Sequence, residues 1–281
     1  MDTKLMRHYA LPILSTALFC SVYTATKIQP AEAAGLVPNL VPHRAVYAMH
    51  LSKAGSNGGL TSARGVMTYV FKDQCDAWTV ESKVYLRLRY GNRPEIENVR
   101  SLVTWEAKDS LGFRFRVTKT TNGKKTEEIK GVAALDGAGL GGIAEYTKPT
   151  AQRVVLKKGT LFPTAHIKTL IQRSVEGGKH LTMAIFDGAT LDNPYEVSAV
   201  IGAGSGKAKM SSRLSSVLGE AANWKMRLAY FPVNDAKQTP DVELGVEMRE
   251  DGIVKLILQD FGSYAVEARL DQVELLKDSG C

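Results

Sequence analysis

Over most of its length the chain alternates apolar and polar residues with a period of two, the pattern of strands that bury one face. In AWTVESKVYLRLRYG, Val84, Leu86, Leu88 and Tyr90 share one face while Tyr85, Arg87 and Arg89 share the other. GFRFRVTK repeats the arrangement, with Phe113, Phe115 and Val117 inward and Arg114 and Arg116 outward. That run reaches Asn122-Gly123, a hairpin-turn dipeptide because both positions tolerate positive φ, and the chain returns through TEEIKGVAAL. HRAVYAMHLS (43–52), ARGVMTYVFK, ENVRSLVTWEAKD, HLTMAIFDG, PYEVSAVIGAG and NWKMRLAYFP read as further strands. A meander follows in VELGVEMR, IVKLILQDF and SYAVEARLDQVELL, with a turn at Glu250-Asp251-Gly252.

One segment breaks the pattern. In RVVLKKGTLFPTAHIKTLIQRSVEGGK the strand-like RVVL gives way, after Pro163, to apolar residues at helical spacing: Ile167, Leu170, Ile171 and Val175. Gly177-Gly178 supplies the stop. SSRLSSVLGEAA predicts a second, short helix with Leu214, Val217 and Leu218 on one side. GVAALDGAGLGGIAEY has glycine spacing like a nucleotide-binding loop, but no βαβ repeat surrounds it, so it reads as a loop between strands. A lone amphipathic helix among strands must bury its stripe against a sheet. The expected fold is mainly β: a single antiparallel sheet that curls or closes like an open barrel, with one central α-helix as its plug or lid.

Residues 1–34 read differently. Lys4, Arg7 and His8 make a basic start, Leu11–Tyr23 an apolar stretch, and AEAAG a small-residue site. These are the three parts of a secretory signal peptide, cleaved after Ala33 or Ala34. An uncleaved membrane anchor is the weaker reading, because the apolar run falls short of the roughly 20 residues a span needs. Cys20 is not read as a lipid-attachment site, since Phe19 stands before it where a small residue is expected.

Export leaves a single domain over 35–281 with two cysteines, Cys75 and Cys281. In an oxidising compartment these most simply form one disulfide; two thiols are the alternative. Closing so long a loop would stabilise the fold by about 4–5 kcal/mol before strain is counted. The mature chain keeps 33 basic and 27 acidic residues, a net charge of +6. That balance permits contact with anionic lipid headgroups, lipopolysaccharide or acidic partners. No basic run of the kind that binds nucleic acid is present.

Motifs for chemistry are sparse. His43 and His50, seven apart on one strand, point to opposite faces, and His166 has no histidine or carboxylate one turn on. No HExxH, CxxC or EF-hand pattern occurs, so no metal is expected. GAGSGK lacks the spacing of a nucleophile elbow. Glu127-Glu128 and Glu250-Asp251 sit at hairpin turns, where carboxylates are ordinarily solvated. No catalytic residue and no cofactor are therefore assigned. Arg87, Arg89, Arg114 and Arg116 would form a basic stripe for anions or acidic partners if their strands adjoin; a solvated sheet face is the plainer reading.

VPHRAVYAMHLS, VTWEAKDSLGFRF, LKKGTLFPTAHIKTLI and DGIVKLILQDFGSYAVEARLDQVELL together resemble the cell envelope integrity protein B family, periplasmic proteins of Gram-negative bacteria. The resemblance runs through the whole mature chain in the same order. It implies a β-spiral wrapping a helix at 162–175, and a disulfide carried by Cys75 and Cys281. It also implies a role in envelope integrity under stress, with a periplasmic tetratricopeptide-repeat protein as partner and no catalytic residues. The family's shape is similar to lipoprotein carriers that hold acyl chains in a curved sheet. On that alternative a lipid or lipoprotein chain would lie in an apolar pocket beneath Ile167, Leu170 and Ile171.

Overall fold

A computed structural model describes residues 38–54, 59–204, 210–233, 239–277 and 280. The predicted signal peptide and Cys281 lie outside the described residues. Eight strands come first: β1 (His43–Ala54), β2 (Leu60–Asp73), β3 (Ala77–Tyr90), β4 (Ile96–Ala107), β5 (Gly112–Thr121), β6 (Lys124–Leu135), β7 (Gly142–Lys148) and β8 (Gln152–Leu156). Helix α1 (Pro163–Val175) leads to β9 (His180–Ile185) and β10 (Tyr195–Ala203). Helix α2 (Ser212–Leu218) then precedes β11 (Asn223–Pro232), β12 (Val242–Arg249), β13 (Val254–Asp260) and β14 (Tyr264–Leu275).

All fourteen strands belong to one sheet, in the order β8 down to β1, then β14 down to β9. Neighbours are antiparallel, and β1 and β14 pair over almost the full length of β1. Among the named strands of the described residues that seam joins elements distant in the chain, and the others join strands that follow one another. The two free edges, β8 and β9, are joined by the segment that carries α1. Free edges invite pairing with other chains. On β9 the connecting segment covers both ends: Leu161 N–H donates to Ala184 O at 2.9 Å, and Arg173 reaches His180 O at 3.4 Å.

The alternation predicted along β3 and β5 is present, with Leu88, Phe113, Phe115 and Val117 buried and Arg87, Arg89, Arg114 and Arg116 exposed. Asn122 (φ 51°) and Gly123 (φ 76°) close the β5–β6 hairpin in the left-handed region, which Asn tolerates and Gly enters freely because it lacks a Cβ. The glycine-rich segment differs from its reading as a long loop. β6 continues to Leu135 and β7 begins at Gly142, because small residues still complete a ladder when their neighbours pair. The sheet is curled rather than closed, and it wraps α1 as expected.

Candidate functional site: the interior of the sheet and its rim

Helix α1 organises one end of the interior. Leu170 and Ile171 are buried against Phe71 and Trp78 of β2 and β3, and against Val197, Met226 and Met248 of β10–β12. Ile167 packs half-buried at the margin of the same cluster. Strands from both halves of the sheet thus meet one helix, so the curl and the helix form a single packing unit. Burying each such aliphatic side chain contributes roughly 1.5–3 kcal/mol. A second cluster stacks Phe113 on Phe162, with ring centroids 5.0 Å apart, and sets Phe186 edge-on to both.

A helix N-terminus leaves backbone N–H groups without partners, and Phe162 at the cap position has no side-chain acceptor. Glu106, an inward residue of β4, supplies it from across the interior. Its carboxylate accepts from Thr164 N at 2.7 Å and Ala165 N at 2.9 Å. Burial pushes the Glu106 carboxyl above the usual carboxylate range; these two N–H groups and Lys168 oppose that shift. Lys108 and Lys168 place their ammonium groups 3.5 and 4.9 Å from the centre of the Trp78 ring. Lys108 also pairs with Asp73 at 2.6 Å. His166, buried on α1, is pulled down to about 3 by desolvation and stays neutral.

The helix fills only part of the interior. On β2 and β3 the residues clustered with α1 are Tyr69, Phe71, Trp78 and Val80, all toward one end of those strands. Past the residues that pack on α1, from the middle of β2 and β3 toward their other end, the inner face holds a cavity of about 120 Å³. Met49, Met67, Val84 and Leu86 line one side, with Ile257 and Val266 on the other. Phe261, 41% exposed, packs against Tyr264 at its mouth. Ile167, Leu170 and Ile171 do not line this cavity.

Arginines gather on the outer face at the same end. Glu95 accepts from Arg64 and Arg89, both at 2.9 Å. Arg87 stands directly across from Arg64 and donates to the Tyr85 hydroxyl at 2.7 Å, which itself donates to Glu97. Like charges opposite each other on a sheet are unfavourable, and Glu95 and Glu97 offset that cost. The condition for a four-arginine stripe, that the two strands adjoin, is not met, because β4 separates β3 from β5. Along β4, Arg87 is level with Glu97 and Arg116 with Val103, about 20 Å apart. Arg116 pairs with Glu128 at 2.9 Å, and Arg114 lies over the Trp105 ring.

A family model described as EipB-like matches residues 34–277. The chain belongs to the EipB-like family. Cell envelope integrity protein EipB of Brucella abortus (strain 2308) is 25% identical over 267 residues, covering 94% of each chain. A crystal structure of a beta-barrel-like protein of a domain of unknown function, also from Brucella abortus, superposes with a TM-score of 0.76 at 24% identity. It covers 85% of this chain and 99% of its own, which establishes the fold.

Within this EipB-like chain Cys75 occupies the exposed β2–β3 turn, at φ 62°, with its N–H bonded to Asp73 at 3.0 Å. Its predicted partner lies outside the described residues. The histidines stay apart: His43 and His166 are buried, and His50 faces Glu267 at 3.4 Å on the outer face. No group of three His, Cys, Asp or Glu side chains among the described residues is placed to hold a metal. Sequence reasoning passed over Glu106, Arg64 and Arg93. The signal for Glu106 was present in VTWEAKD, where a carboxylate falls in phase with the buried Thr104 rather than with Trp105.

Proposed function

We propose that this protein is exported to the periplasm and supports envelope integrity without catalysis, by presenting its curled sheet to a protein partner. Membership of the EipB-like family across residues 34–277 is the observation that carries this reading. In the proposed mature protein, residues 35–281 form one β-spiral domain, and Cys75–Cys281 fastens the end of the chain beside the β2–β3 turn. Asp73 in that turn is tied to Lys108, and Lys108 lies over Trp78 beside α1. A covalent tether at Cys75 would therefore be transmitted to the packing of the helix. The proposed partner is a periplasmic tetratricopeptide-repeat protein. Affinity capture of the tagged protein after crosslinking in the periplasm tests this, with the tag alone as control. Enrichment of such a repeat protein is expected, and its absence under conditions that retain other periplasmic complexes would overturn the partner assignment.

A second reading has its own observation. The cavity beyond α1 is lined mainly by apolar side chains of both halves of the sheet, with Gln259 among them, which suits a carrier or sensor of acyl chains. Native mass spectrometry of the protein purified from the periplasm distinguishes the two: a co-purifying lipid mass supports the carrier, and a bare protein mass counts against it.

A further inference from the structure

The cavity and the arginine cluster occupy the same end of the sheet, and their chemistry is complementary to a single kind of molecule. Cavity-lining Leu86 and rim Arg89 are three residues apart on β3 and face opposite sides of the sheet, so a ligand would join them around the end of the strand. Tyr264 at the cavity mouth and Tyr90 pack on the same apolar cluster. Tyr90 O accepts from Arg93 N at 3.1 Å, so the β3–β4 turn is hinged on a residue beside the mouth. That turn carries a shallow cleft of about 360 Å³ bordered by Arg89, Asn92, Arg93 and Glu95. Two guanidinium groups, those of Arg64 and Arg89, pair with one carboxylate, Glu95, and Arg93 borders the same cleft. Arg93 is exposed and has no carboxylate partner among the described residues.

We propose that the cavity takes the hydrocarbon chain of an anionic amphiphile, whose phosphate- or carboxylate-like head is held at the β3–β4 turn by Arg93 and Arg89. This rests on the second reading above and adds to it the ligand's class and orientation. The small volume admits the end of one linear chain, with the rest lying along the mouth, and leaves no room for a fused-ring or multi-chain body. Met49 and Met67, unbranched and polarizable, adjust to the chain's thickness. The excess of guanidinium forks at the turn selects an anionic head, because each fork can donate two parallel hydrogen bonds to an oxyanion. Phe261, exposed at the mouth, is placed as the apolar lip over which the chain enters.

Isothermal titration of the mature protein with dodecyl phosphate, dodecyltrimethylammonium and inorganic phosphate, each below micellar concentration, tests the inference. Dodecyl phosphate is expected to bind one to one, and the cation of equal chain length at least tenfold more weakly. Inorganic phosphate should give no detectable binding. Arg93→Glu should weaken dodecyl phosphate at least fivefold without weakening the cation. Val84→Phe and, independently, Ala268→Phe should abolish binding of the anionic chain, with thermal melts showing which filled variant remains folded. Equal binding of both amphiphiles, unchanged by Arg93→Glu, would overturn the anionic specificity while the acyl-chain reading stands. Binding of inorganic phosphate as tight as that of dodecyl phosphate would overturn the role of the cavity. Failure of both amphiphiles to bind would overturn the inference and the acyl-chain reading together.

Discussion

Removing the Glu106 carboxylate isolates the contact that ties α1 to the sheet. Glu106→Ala deletes two hydrogen bonds, at 2.7 and 2.9 Å, and strands the N–H groups of Thr164 and Ala165 in a buried site. Each stranded donor costs about 1–3 kcal/mol. The vacated side-chain volume adds to this, so the total is about 3–5 kcal/mol. For a domain of this size each kcal/mol lowers Tm by roughly 2–4 °C, so the variant should melt about 10 °C lower. Glu106→Gln keeps one acceptor and should lose about 1–2 kcal/mol.

The pH dependence of the same pair tests the electrostatics. Burial raises the Glu106 carboxyl above its ordinary value, so the folded state holds the proton more tightly than the unfolded state. Its favourable contribution is then fully present below the unfolded carboxylate pKa, about 4.3, and is lost as pH rises through the folded value. The stability difference between wild type and Glu106→Gln should therefore shrink as pH rises through that window. Urea unfolding followed by circular dichroism from pH 4 upward provides the curve, with hydrogen exchange at Thr164 and Ala165 as the local readout. A difference that grows with pH would mean the helix N-terminus outweighs burial. A Glu106→Ala variant within 1 kcal/mol of wild type, with unchanged exchange at those amides, would refute the clamp itself.

Other perturbations separate backbone strain from packing and test the second helix. Gly188 and Gly177 both sit at positive φ, but a Cβ at Gly188 would lie 2.3 Å from the Phe115 ring, while Gly177 has open space. Gly177→Ala should cost about 1–2 kcal/mol, and Gly188→Ala distinctly more; equal losses in chemical denaturation would remove Phe115 from the explanation. Arg249, buried beneath the end of α2, donates to the Leu218 and Gly219 carbonyls and to Asp251. Arg249→Ala should destabilise by about 3–5 kcal/mol by leaving Asp251 without its buried partner. Arg249→Lys should recover part of that loss, because it restores the charge but not the fork; no recovery would show that the carbonyl bonds dominate.

Local chemistry made much of the fold legible. A period of two fixes which side of β3 and β5 is buried, Asn122-Gly123 fixes a hairpin, and Pro163 with the Ile167–Ile171 stripe fixes a helix against the sheet. The seam between β1 and β14 was not legible, because nothing near His43 specifies that its partner is Leu275. The cavity was equally hidden. It is lined by residues of β1, β2, β3, β13 and β14, which come together only once the β1–β14 seam has formed. The arginine cluster was half visible: Arg87 and Arg89 follow from alternation, but Arg64 joins them through the β2–β3 register. Alternation could not decide whether Arg114 and Arg116 join them, because it shows the face of a strand and not its neighbour; β4 keeps them apart.

The central claim is that a fastened, curled sheet sustains the envelope. It is tested most directly by complementing a strain that lacks the gene with wild type or with Cys75→Ser, Cys281→Ser, and measuring growth on a membrane-disrupting detergent. The account predicts that wild type restores growth and that the double variant, present at equal level in the periplasm, does not. Full restoration by the double variant would contradict it.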